Sequence, residues 1–206
     1  MFLLVPVAVW KQWLPVPLIT IPLYVLVAYA VVWLLVYGQE NLRHLWCGES
    51  VAPEKAALKI IAIRFVFVVA LTWLVVYVFY PEKLFILPIE NPVIWLLIIF
   101  VYPPLSVVPQ EFLYRSFFFA RYAELFANKH AMVIASTLFF VFMHIVFSNM
   151  TVILATLIGG YFFADTYSRT RSLRVVCLEH SLYGCVIFTL GLGEFFVFGV
   201  AKSFLM

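Results

Sequence analysis

The sequence predicts an all-α, polytopic transmembrane bundle of about 6–8 hydrophobic helices around a membrane-embedded polar cavity. Three observations carry that prediction. The chain is 66% hydrophobic and only 11% charged, against about 25% charged residues in soluble domains, so it lacks the polar exterior a water-soluble fold needs. Its apolar runs approach the length of about 20 residues that crosses a bilayer, and short polar breaks separate them. Finally, a few ionisable residues, Glu111, Arg115, His144 and His180, lie inside those runs, where their cost makes function the default reading. The net charge of +3 is scattered, with no basic block, so nucleic acid is not an expected partner. Membrane lipids and a membrane-associated protein or peptide are.

Taken in order, residues 14–37 form the first span, and Pro15, Pro17 and Pro22 place its helix start near Leu18 or Leu23. Residues 38–59 are an interfacial connection, with Leu45 and Trp46 at the headgroups and Glu40, Arg43, Glu49, Glu54 and Lys55 in water. The second span runs from Ile60 to Tyr80, and Arg64 near its start snorkels outward. A third apolar run, Val93 to Tyr102, meets Pro103, Pro104 and Pro109, which break it and put Glu111 near the N-terminus of a new helix extending to Asn128. Whether these pieces make one crossing or two stays open. Further spans cover Ala131–Phe147, carrying His144, and Thr151–Tyr167, where Gly159 and Gly160 permit close helix contact. Asp165 is a solvated helix-end residue. Another span carries Glu179 and His180 and ends before Gly191, and a short apolar tail follows. The expected organisation is one structural domain: N-terminal helices over 1–92, a core over 93–192 and a C-terminal segment over 193–206. The N-terminus shows no removable signal peptide.

Arg169, Arg171 and Arg174 mark their loop as cytoplasmic, and Arg121 and Lys129 fall on the same side. The uncharged turn Ser148–Met150 lies opposite, which makes a multi-pass protein of the plasma (inner) membrane the expectation. Trp10, Trp13, Tyr37, Trp46, Tyr80, Trp95 and Tyr167 are interfacial anchors. Cys47, Cys177 and Cys185 read as apolar fillers, since Cys177 and Cys185 would stand about 12 Å apart on one helix, beyond disulfide reach.

The chemistry concentrates on three helices. Glu111 and Arg115, four residues apart, share a helix face and can pair. A carboxylate with His144 and His180 can take a proton from water and stabilise a tetrahedral oxyanion, the two tasks of peptide hydrolysis without a covalent nucleophile. The same trio has the ligand types for zinc, although no metal or cofactor is expected. Glu179 either orients a histidine or, about 100° round the helix, faces another surface. A transporter, or a haem protein with His144 and His180 as axial ligands, is a further reading of the same residues.

Q-E-F-L-Y-R at 110–115, F-V-F-M-H at 140–144 and E-H-S-L-Y-G at 179–184 resemble, in order and spacing, three motifs of the CPBP (CAAX-protease and bacteriocin-processing, or ABI) family of intramembrane endopeptidases. Those motifs are E-E-x-x-x-R, F-x-x-x-H and H-x-x-x-N or a variant of it. The resemblance implies a glutamic-type protease with a cavity in the membrane, whose substrates include lipidated or membrane-anchored proteins. It makes Glu111, His144 and His180 catalytic, has Arg115 hold the acidic motif, and packs Phe140 below His144. The sequence departs from the family twice. Gln110 stands where the first Glu is usual, so Glu111 must be the base or the protein is a non-catalytic member that binds a peptide or membrane partner. Gly184 stands where an Asn donor is usual, and Asn149, Ser181 or Tyr183 are its candidate replacements. Gln110 and Tyr114 keep the ability to hydrogen-bond substrate or water.

Overall fold

A computed structural model describes residues 20–37, 46–48 and 51–197, so the expectations for Pro15, Pro17, Trp10, Trp13, Glu40, Arg43, Leu45 and Glu49, the N-terminus and the end of the tail lie outside the described residues. The described residues are almost all helical, without strands. The elements are α1 (Thr20–Val36), α2 (Val51–Phe79), α3 (Ile86–Glu90), α4 (Pro92–Tyr102), α5 (Val108–Glu111), α6 (Phe118–Tyr122), α7 (Lys129–His144), α8 (Met150–Thr170) and α9 (Leu173–Leu190). Among them, five stretches are long and apolar enough to cross a membrane: Glu54–Phe79, Pro92–Leu125, Lys129–Phe147, Met150–Thr170 and Leu173–Leu190, beside the shorter Leu23–Val36. Helices apolar on every face suit lipid, and the outward side chains of Ile63, Val66, Phe100 and Leu138 are accordingly exposed.

The prolines do not break the third span. Pro92–Leu125 is one continuous crossing, because α4 passes into α5 through a π-helical turn (Pro103–Val107) and α5 into α6 through a second (Phe112–Phe117). Wider turns admit residues that cannot donate: the Val108 N–H reaches back to the Pro103 carbonyl, five residues away. Pro109 has no N–H for the Leu105 carbonyl, and the Tyr24 hydroxyl of α1 donates to it at 2.7 Å. Glu111 is therefore in mid-helix, and the expected helix N-terminus beside it does not exist. The span also stops earlier than expected, at Tyr122 plus a 3-10 turn, and Asn128 instead caps α7 by accepting from the Ala131 N–H at 2.9 Å.

The helices alternate in direction, which gathers Arg121, Lys129, Arg169, Arg171 and Arg174 at one end of the bundle. Arg171 covers the Phe119 ring, Arg121 covers Trp33 of α1, and Arg174 pairs with Glu54 of α2. Glu54 is buried by that pairing, not free in water. Three further expectations change. Arg64 turns inward to Asp165 and Glu179, so it does not snorkel, and Asp165 is its partner, not a solvated end. Tyr167 is buried in the core and anchors nothing at an interface. A buried charge needs a partner more than a route to water, and these partners are about a hundred residues apart in sequence.

Candidate active site

Glu111 and Arg115 lie at either side of the second π-turn, both fully buried, with the Arg115 Nε donating to Glu111 Oε2 at 3.0 Å. Arg115 is held on every side. Its guanidinium donates to the Ser136 hydroxyl of α7 and to the Gly160 carbonyl of α8 at 3.3 Å, and it covers the Phe140 ring at 5.2 Å. Gly160 also lets Phe140 of α7 pack closely on α8, since a Cβ there would stand 3.0 Å from Phe140 Cδ1. One side chain thus ties three helices together through groups that lipid could not satisfy.

The other carboxylate oxygen, Glu111 Oε1, lies 2.8 Å from His180 Nδ1. An ionised carboxylate only accepts, so Nδ1 carries the proton and Nε2 is the acceptor nitrogen. Nε2 lies 3.1 Å from the Tyr102 hydroxyl, while the ring stacks on Phe163 at 4.4 Å. His144 is fixed in the same manner: its Nδ1 donates to the Phe140 carbonyl at 2.8 Å, which leaves Nε2 as acceptor, with no hydrogen-bond partner among the described residues. Both histidines, with Tyr102, Ser106 and Gln110, line a cavity of about 680 Å³ whose remaining wall is mostly aliphatic and aromatic. Glu111 does not reach that cavity. His180, which contacts Glu111, does.

Phe140 packs against both histidine rings, at 4.5 Å from His144 and 5.7 Å from His180. It fills the space a macrocycle would need between them. Zinc fares no better: among the described residues no three His, Cys, Asp or Glu are grouped to share a metal, and both Glu111 oxygens already serve Arg115 and His180. Gln110 donates to Ser106 Oγ at 2.8 Å, and its Oε1 is buried without a hydrogen-bond partner among the described residues. The accessory candidates lie elsewhere. Asn149 caps α8, its Oδ1 accepting from the Thr151 N–H at 2.8 Å. The Tyr183 hydroxyl donates to Glu179 at 2.8 Å, although its ring lines the cavity, and Glu179 faces Arg64 and Thr166 and orients no histidine. Tyr102 is the contact that sequence reasoning missed. Nothing marks it out in an apolar run, and only the missing side chain at Gly184 hints at its neighbour.

Residues 89–186, from the end of α3 to within α9, match the family described as Rce1-like, type II CAAX prenyl endopeptidase. No curated protein and no solved structure matches the chain.

Proposed function

We propose that this chain, whose residues 89–186 match the Rce1-like family of CAAX-type intramembrane proteases, is itself an intramembrane endopeptidase in which the Glu111–His180 pair activates water. The observation that carries this reading is the 2.8 Å contact from Glu111 to His180 Nδ1, which turns the acceptor nitrogen of a carboxylate-backed imidazole toward a cavity shared with His144. His144 Nε2 accepts one hydrogen of the water and His180 Nε2 takes the other as the water oxygen bonds to the scissile carbonyl carbon. The carbonyl electron pair moves onto oxygen. When the tetrahedral intermediate collapses, the C–N bond breaks and the amine leaves with the proton from His180. Glu111 stays ionised, fixes the tautomer and stabilises the imidazolium, in the manner of the carboxylate in a catalytic triad. Arg115 holds Glu111 in place. The substrate is a membrane-associated protein whose acyl, prenyl or apolar portion lies against the aliphatic wall.

The Arg-rich end is assigned to the cytoplasmic side of the plasma membrane. The cavity lining includes Tyr80, Phe147, Thr151 and Leu192 from the helix ends opposite the Arg-rich one, which supports entry of the scissile segment from the extracytoplasmic face. Single-cysteine labelling with a membrane-impermeant maleimide in whole cells tests this: Thr151→Cys should react and Arg171→Cys should not, and the reverse pattern overturns the sidedness.

The test of the activity is a comparison of membrane-protein termini in cells expressing wild type, Glu111→Gln or His144→Ala at matched abundance. New termini present only with wild type are expected. Equal termini in all three would favour the second reading, a non-catalytic member that binds a peptide, for which the amide of Gln110 on the cavity wall is the supporting observation.

A further inference from the structure

We propose that Tyr102 is the oxyanion donor of this site and that the absence of a side chain at position 184 exists to admit it. This deepens, and rests on, the protease reading. A Cβ built on Gly184 would stand 2.4 Å from Tyr102 Cε1 and 2.5 Å from its hydroxyl oxygen. No real Cβ comes so close, so a side chain at 184 and the Tyr102 ring are alternative occupants of one place. α9 presents position 184 one turn beyond His180, on the same face and on the cavity wall. Whatever fills that place is beside the imidazole that receives the proton.

Tyr102 fills it with a hydroxyl and not only with bulk. The ring packs on Phe188 at 5.6 Å and edge-on to His180 at 6.1 Å, which aims the hydroxyl at His180 Nε2 from 3.1 Å. The residue ends α4 immediately before the first π-turn, so its backbone is set by a helix and not by a loop. A hydroxyl both donates and accepts, and here the two abilities operate in succession. At rest Nε2 is an acceptor and the Tyr102 O–H donates to it. As the attacking water closes on the carbonyl carbon, the Tyr102 O–H turns off Nε2, which frees its single lone pair for the water proton, and the new N–H then points to the Tyr102 oxygen. The O–H hydrogen is released to turn to the oxyanion that forms in the same step. No proton leaves Tyr102 and no co-reactant is needed. The donor is directed at the oxyanion only when charge develops there, which is the condition for stabilising the transition state more than the ground state.

The experiment follows the wild-type-dependent termini as a rate in cells and, with the most abundant cleaved protein as substrate, in detergent-solubilised full-length enzyme. Tyr102→Phe keeps the ring and removes only the donor. It should lower kcat by about 10²- to 10³-fold with KM nearly unchanged, the loss typical of one oxyanion donor. Gly184→Asn alone should also be inactive, because its side chain meets the Tyr102 ring. Tyr102→Ala with Gly184→Asn should recover at least about tenfold over Tyr102→Ala alone, since an amide donor then occupies the vacated space. Wild-type kcat in Tyr102→Phe, or no recovery in the double variant with both proteins folded by thermal melting, overturns the assignment of Tyr102 while leaving the protease reading intact. Wild type indistinguishable from Glu111→Gln overturns both.

Discussion

Two buried charge clusters meet on α9 at adjacent residues, and they differ in what they leave over. His180 faces Glu111 and Arg115, and the ring nitrogen not used there turns to a cavity. Glu179 faces the other way, where Thr166 and Tyr183 donate to its oxygens and Arg64 lies 3.6 Å off. Arg64 also pairs with Asp165, whose second oxygen accepts from Arg169 at 2.9 Å. The second cluster is closed: each carboxylate oxygen has a donor and neither acid lines the cavity. Burial and charge alone therefore do not mark a reactive site. The Glu111 cluster is set apart by oriented acceptor nitrogens on a cavity wall, that of His180 met there by the Tyr102 hydroxyl, whereas the Arg64 cluster joins α2, α8 and α9 as a structural clamp.

The largest expected effect separates the two. Glu111→Gln should reduce the rate of appearance of wild-type-dependent termini by about 10³-fold or more, the scale seen when a carboxylate backing a catalytic histidine becomes an amide. The matching change on the other side, Arg64→Met, leaves Glu179 buried without its cation. It should cost about 3–5 kcal/mol of stability by melting in detergent, with cleavage per folded molecule within about threefold of wild type. A loss of turnover in folded Arg64→Met would break the distinction. Next in size, His144→Ala removes a hydrogen-bonded anchor for water without opening an ion pair, and about a 10²-fold fall in kcat with an unchanged melting temperature is expected.

The sequence showed one of these clusters and hid the other. Spans were readable because lipid demands long apolar runs, and Glu111 with Arg115 because four residues on a helix bring side chains together. Histidines inside such runs stood out for their cost. Pairing between distant helices left no such trace. Arg64 lies 101 residues from Asp165, and each by itself looks like a helix-end charge with a route to water. The prolines misled for a related reason: proline forbids an α-turn hydrogen bond, but whether the chain then breaks or widens into a π-turn depends on neighbours such as Tyr24, which donates to the Leu105 carbonyl. Tyr102 was hidden because an aromatic residue in an apolar run is ordinary, and its role is visible only beside Gly184 and His180.

The smallest expected effect tests the site at its least usual residue. Gln110 lies on the cavity wall, one residue before Glu111, so its side chain diverges by about 100° and meets Ser106 and the cavity, not Arg115. Its amide donates to the Ser106 hydroxyl, and its Oε1 faces no protein donor. In Gln110→Glu the hydroxyl can reverse and donate to the new carboxylate, so the contact survives with its direction inverted. That carboxylate would add a second proton acceptor at the cavity and strengthen the field that holds a protonated His180. An increase in kcat of about three- to tenfold is expected, with stability nearly unchanged because the cavity admits water to the new charge. The same substitution separates the two functional readings. Were the chain a peptide-binding member without turnover, Gln110→Glu in a site otherwise assembled would create wild-type-independent termini from none, and a variant with Glu111→Gln added should silence them again. A rate that falls instead would mean that the Gln110 amide is needed as a donor to substrate, and the reactive side of the comparison would then include Gln110 on the Pro92–Leu125 span.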